Sequence, residues 1–144
     1  MNQAILNNTV SSSVNHISKL EPSPESITAP VVVHKIGLSS TTSVLQFSVL
    51  NDTDFSPNVD GLYILTYSLS IQSTLGGESQ VFFIKNGLKL ASSVAIVNLT
   101  PTTELSYSSI SIENLLSTDE LSLAIQGDND ITIRGPKITI FKIN

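Results

Sequence analysis

Few side chains in this sequence could do acid–base, nucleophilic or metal chemistry, and they do not converge. Histidine occurs twice, at His16 and His34. A Ser-His-Asp triad needs one such histidine beside a nucleophile and an acid. No serine stands in a Gly-x-Ser-x-Gly elbow, and no His-Glu-x-x-His pair occurs. Carboxylates gather at Asp52, Asp54 and Asp60, and again at Asp128 and Asp130. Calcium takes several oxygen ligands, and an Asp-x-Asp loop supplies two, so Asp128 and Asp130 are the candidate calcium ligands. Aspartates also start turns and blunt strand ends. That reading is favoured here, because no EF-hand pattern accompanies them. Gly76-Gly77 opens no helix and makes no phosphate loop. No cysteine is present, which removes disulfides, thiolate metal sites and thiol nucleophiles. A catalytic site needs a convergent constellation, and none is visible. The expectation is a non-enzyme without a cofactor.

Charge narrows the partners. The formal net charge is −5. Lys35, Lys85, Lys89, Arg134, Lys137 and Lys142 are scattered rather than clustered. Phosphate-driven nucleic-acid binding needs a basic stripe, and an anionic membrane surface needs the same, so both are set aside. No apolar run approaches the ~20 residues of a membrane span. The first residues lack the basic start and apolar core of a signal peptide. The expected route out of a cell is therefore lysis or assembly. Asn7-Asn8-Thr9, Asn51-Asp52-Thr53 and Asn98-Leu99-Thr100 match the glycosylation pattern, which matters only in a eukaryotic secretory protein.

The elements that would position these side chains read as strands. Only 13% of residues are charged, against roughly 25% in an ordinary soluble domain. Ser and Thr make up a quarter of the chain, so hydroxyls stand where charges usually do. Residues 62–73 alternate cleanly. Tyr63, Leu65, Tyr67, Leu69 and Ile71 share one face, and Thr66, Ser68, Ser70 and Gln72 the other. Asn86-Gly87 between the apolar runs 81–85 and 88–90 signals a type I′ hairpin. From Leu105 the apolar set slips phase at Ile110 and Ile112, which suggests a bulge. Gly135-Pro136 reads as a turn between two short strands. Eight to ten short strands with no intervening helix predict an all-β sandwich, jelly roll or barrel over residues 31–144.

Residues 1–30 differ. They are rich in Asn and Ser and end in prolines. Leu6, Val10, Val14, Ile17 and Leu20 recur near helical spacing among poor helix formers. Three readings stay open: a short self-associating helix, a disordered tail, or an extended arm that orders against a partner. The arm is favoured over the helix, with those five residues as its anchoring contacts.

The segment Asn51, Phe55-Ser56-Pro57 and Asp60-Gly61-Leu62-Tyr63-Ile64-Leu65 resembles the start of the central strand in the C1q/TNF-like jelly-roll family. Ile84-Lys85-Asn86-Gly87 is similar to that family's hairpin, residues 115–121 to its Leu-x-x-Gly-Asp-x-Val segment, and residues 138–141 to its closing strand. The resemblance covers residues 40–144. Thr118 stands where the family has glycine, and Leu65 where it has a second aromatic. These departures resemble the divergent versions of bacteriophage fibres, head decorations and spore surfaces.

The resemblance implies two antiparallel sheets in jelly-roll order and a homotrimer. Mean hydropathy of +0.22 and strands apolar on both faces accord with a second subunit. Phe83, Phe141 and Ile143 are the expected interface contacts. The implied role is a virion-surface structural protein, namely a capsid decoration, head fibre or spike, held by residues 1–30 to a capsid protein. The alternative is a receptor- or glycan-binding adhesin, with loops 74–79, 98–104 and 127–130 carrying specificity. Tyr107 is its candidate sugar platform, since Tyr63 and Tyr67 lie on the apolar face.

Overall fold

The computed structural model describes residues 14–18, 24–29, 31–37, 40–43 and 47–143. Thirteen strands occur among them, and no α-helix. They are β1 (Val14–Ser18), β2 (Glu25–Ile27), β3 (Val31–Lys35), β4 (Ser40–Ser43), β5 (Phe47–Val49), β6 (Asp54–Pro57), β7 (Gly61–Gln72), β8 (Gly77–Lys85), β9 (Leu88–Lys89), β10 (Ala95–Leu99), β11 (Leu105–Leu115), β12 (Leu121–Gly127) and β13 (Ile131–Lys142). One sheet runs β11-β7-β13-β1-β4, with β2 also paired to β13. The second runs β10-β8-β12-β6-β5, with β3 on β12 and β9 on β8. Every pairing is antiparallel.

Alternation explains how the layers meet. On β7 the odd residues Tyr63, Leu65, Tyr67, Leu69 and Ile71 are buried, while the even ones are half-buried. The odd set packs between the sheets with Val81, Phe83, Leu121, Leu123, Ile125, Ile138 and Ile140. Phe47 meets Phe55 and Tyr63 edge-on, with centroids 5.9 and 5.5 Å apart, and Tyr67 meets Phe83 at 5.6 Å. Such edge-to-face pairs place a ring's positive rim on its neighbour's negative face. The buried phenols are satisfied. Tyr63 donates to Val59 O at 2.7 Å. Tyr67 reaches Val81 O at 3.1 Å and Ser93 O at 3.2 Å.

The Asn-Gly hairpin forms as expected. Asn86 and Gly87 both take positive φ, 52° and 79°, as a type I′ turn requires. Asp119 holds it in place. Its carboxylate accepts from the Asn86 amide at 2.7 Å and from Leu116 N at 2.8 Å, with the Lys85 ammonium at 3.6 Å. Burial pushes this carboxyl up, but those three donors together hold it below its ordinary value.

Four expectations are corrected. First, residues 14–18 and 25–27 do not stand apart from the domain. Both pair with β13, so sheet pairing extends N-terminal to residue 31. Second, β11 has no bulge. Its register against β7 runs unbroken from Leu105↔Ile71 to Leu115↔Gly61, so Ile110 and Ile112 point outward. Third, residues 131–142 form one strand. Gly135-Pro136 is a bulge within it, between Arg134 and Lys137. Gly135 supplies the positive φ of 55° there, and the unpaired bulge tolerates a residue with no N–H.

Fourth, Phe83, expected at an interface, does not lie on an outer face. It is fully buried inside its own sandwich. β8 is apolar on both faces because this same chain covers its outer side. Phe82 and Ile84 pack there with Ala124 and Val94, and the Lys89 ammonium lies 4.2 Å above the Phe82 ring. A 3-10 turn, Ala91–Ser93, closes the flap. Ser93 Oγ accepts from Phe83 N at 2.8 Å and donates to Leu90 O at 2.7 Å.

Candidate interaction face

The outer surface of the β11-β7-β13 sheet is ordered in cross-strand rows, fixed by register. The first row is Ser106, Ser70 and Arg134. The second is Ser108, Ser68 and Lys137. The third is Ile110, Thr66 and Thr139. The fourth is Ile112, Ile64 and Phe141. Asn114 and Leu62 follow, with Ile143 N donating to Leu62 O at 2.8 Å. The face therefore grades from hydroxyls and cations at one end to aliphatics and a ring at the other.

The apolar end is unusual for a water-facing surface. Ile110 is 71% exposed, Ile112 56% and Ile143 46%. Ile64, Leu62 and Phe141 beside them are half-buried. The inward side of β11 carries the hydroxyls instead. Ser111 is buried, and its Oγ has no hydrogen-bond partner. An ordinary edge strand turns its apolar side inward and its polar side out. Over residues 109–112 this one does the reverse.

At the polar end Ser70 and Ser106 share a hydrogen bond of 2.9 Å. Arg134 donates to Glu104 at 3.1 Å and to Gln72 at 3.2 Å. Two shallow depressions lie there, of ≈ 470 Å³ around Ser70 and Arg134 and ≈ 270 Å³ around Ser68 and Lys137.

Of the residues singled out in the sequence, Phe141 and Ile143 lie on this face. Tyr107 does not. It has the inward parity of β11 and packs half-buried against the core, so its ring is no open platform for a sugar. Val14 and Ile17 lie on β1, opposite Phe141 and Ile138 of β13. Leu6, Val10 and Leu20 are outside the described residues.

Three of the five singled-out carboxylates, Asp54, Asp60 and Asp130, are taken up by loop hydrogen bonds or an ion pair. Asp130 accepts from Thr74 Oγ1 at 2.7 Å, Thr74 N at 3.2 Å and Ser73 Oγ at 3.4 Å. These donors hold its carboxyl below the ordinary value. Asp128 is exposed, and its N–H donates to Glu78 O. Asp54 pairs with Lys35 at 2.6 Å, and Asp60 accepts from Ser117 N at 2.6 Å. His34 Nε2 lies 2.6 Å from Glu25 Oε1, tying β3 to β2. Among the described residues no group of three or more His, Asp or Glu side chains could hold a metal ion.

Loops 74–79, 98–104 and 127–130 meet at one end of the sandwich. Asn129 donates to Gly76 O at 2.8 Å, Thr102 N to Ser73 O at 2.8 Å, and Gln72 to Thr102 O at 2.6 Å. Gly76 sits so close to the 98–104 loop that a Cβ there would fall 2.6 Å from Leu99 O.

The sequence matches no family model and no curated protein. Solved structures do match. Murine APRIL superposes with a TM-score of 0.64 at 13% identity, over 91% of this chain and 98% of that one. The globular domain of zebrafish complement 1qA gives 0.62 at 12% identity, over 92% and 98%. Eiger TNF from S. frugiperda gives 0.63 at 9% identity, over 91% and 92%. The fold is the TNF/C1q jelly roll. Within it the two departures from the family pattern have local reasons. Leu65 is a fully buried core residue, and Thr118 does not take the positive φ that would demand glycine.

Proposed function

We propose that this chain is a homotrimeric structural module of a virus particle, a capsid decoration, head fibre or spike. It associates with its own copies through the β11-β7-β13 face. The observation that carries the association is the inverted pattern of β11, with Ile110 and Ile112 outside and Ser109 and Ser111 inside. Turning isoleucines to water and hydroxyls to the core weakens a lone sandwich. A second copy covering the outer face reverses the balance, since burying such a side chain contributes about 1.5–3 kcal/mol. The apolar end offers Leu62, Ile64, Ile110, Ile112, Phe141 and Ile143 without a charge among them. That composition suits the core of an interface.

The virion part rests on the resemblance to divergent phage versions of the family and on the distinct composition of the N-terminal segment. Because β1 and β2 pair within the sheet, the capsid anchor is narrowed to residues 1–13, with Leu6 and Val10 as its apolar contacts. Removing residues 1–13 is expected to leave a folded trimer that no longer enters particles. A truncated chain that still copurifies with particles at the wild-type level would contradict the anchor.

One observation favours the adhesin reading as an alternative. Loops 74–79, 98–104 and 127–130 are cross-bonded into a single tip, with Leu75 68% exposed on it. A pre-organised tip lowers the ordering cost of binding. Glycan-array binding abolished by Leu75→Ser would support an adhesin. No binding by the trimer would leave the structural role alone.

A further inference from the structure

The polar end of the same face has a feature that association alone does not explain. Its second row, Ser108, Ser68 and Lys137, places three hydrogen-bond donors side by side on three adjacent strands. Ser68 Oγ, Ser108 Oγ and the Lys137 ammonium have no hydrogen-bond or ion-pair partner among the described residues. They border one depression of ≈ 270 Å³, with Thr66 and Thr139 beside them. The Thr66 hydroxyl is already spent on Thr139 O at 2.9 Å. In the row above, Arg134 is neutralised by Glu104 at 3.1 Å. The five rows of β11, β7 and β13 carry no carboxylate of their own. Among the described residues, each copy therefore presents on this face one positive charge without an ion-pair partner, in a chain whose net charge is −5.

We propose that the assembled protein binds a tetrahedral oxyanion, of the phosphate or sulfate class, at this row. Lys137 of each copy supplies the charge, and Ser68 and Ser108 donate hydrogen bonds. The inference rests on the association reading above. Copies packed through the apolar rows bring their Lys137 side chains toward one another. Like charges at an interface of lowered dielectric repel. A multivalent anion among them removes the repulsion and gives the hydroxyls acceptors, and charge-assisted hydrogen bonds of this kind are the strong ones. The site is incomplete in a single copy, which offers one ammonium and two hydroxyls.

The test uses the full chain, with inorganic phosphate as the probe and chloride at matched ionic strength as the control. Isothermal titration calorimetry should find one phosphate per three chains, and the thermal midpoint should rise with phosphate concentration. In Lys137→Gln both effects should vanish. In phosphate-free buffer the same variant should melt higher than wild type, because three like charges have been removed. A variant that melts lower there would overturn the proposal in favour of a pair between Lys137 and a neighbouring copy's carboxylate. A trimer that takes up no phosphate, or whose uptake is unchanged in Lys137→Gln, would overturn the anion site alone. A wild-type mass of one chain would overturn the association and the site together.

Discussion

Asp119 joins the Asn86-Gly87 hairpin, the 116–119 turn and Lys85 through one buried carboxylate. Asp119→Ala would leave the Asn86 amide and Leu116 N without their acceptor. The expected cost is about 2–3 kcal/mol, read from urea denaturation. The pH dependence has a definite sign. The folded-state pKa of Asp119 lies below its ordinary 3.8, and that of Asp54 does too, where burial is outweighed by Lys35 and Asn51. The unfolded chain therefore binds more protons just below that value. Their contribution is complete above about pH 5 and is lost as pH falls through the lower folded-state values. Wild type should lose stability on acidification through this window, and Asp54→Asn with Asp119→Asn should lose less. Ser111 makes the opposite case. Its buried hydroxyl has no partner, so Ser111→Val should stabilise the chain by about 1 kcal/mol.

At the scale of elements, β11 shows what period-two reading can and cannot deliver. The alternation of residues 62–73 was legible because its apolar set faces the core and its polar set faces out. Ile110 and Ile112 were legible only as a change of phase, because apolarity in a sequence says that a residue seeks cover, not from which side. Leu105, Tyr107 and Leu115, all of one parity at the two ends of the strand, were the available signal for a regular strand with isoleucines outside. Phe83 was misplaced for a related reason. The second apolar face of β8 is covered by the flap at 88–94, a tertiary contact that local pattern does not encode. Pro136 read as a turn because proline breaks ladders, whereas a bulge absorbs it within β13. The Asn-Gly hairpin was legible in full, since its conformation is dictated by the two residues themselves. Gly87→Ala should cost at least ~1 kcal/mol, measured by denaturation, because a Cβ disfavours φ of +79°.

For the whole molecule, the order of turns, hairpin and closing strand in the sequence resembled the C1q/TNF-like family, and the fold bears that out at 9–13% identity to the solved structures. The candidate interaction face was not legible, because it is made by three strands far apart in sequence. Only Phe141 and Ile143 of the expected contacts lie on it. On the proposed function, this face is covered by further copies of the chain. Light scattering on the purified protein and on Ile112→Lys tests it most directly. Ile112 is 56% exposed in a single copy, so the substitution should change the stability of the isolated fold by no more than about 0.5 kcal/mol. Wild type should give three times 15.4 kDa, and the variant should give one chain with an unchanged β-sheet circular dichroism spectrum. A wild-type mass of 15.4 kDa, or a variant that stays trimeric, would contradict the account.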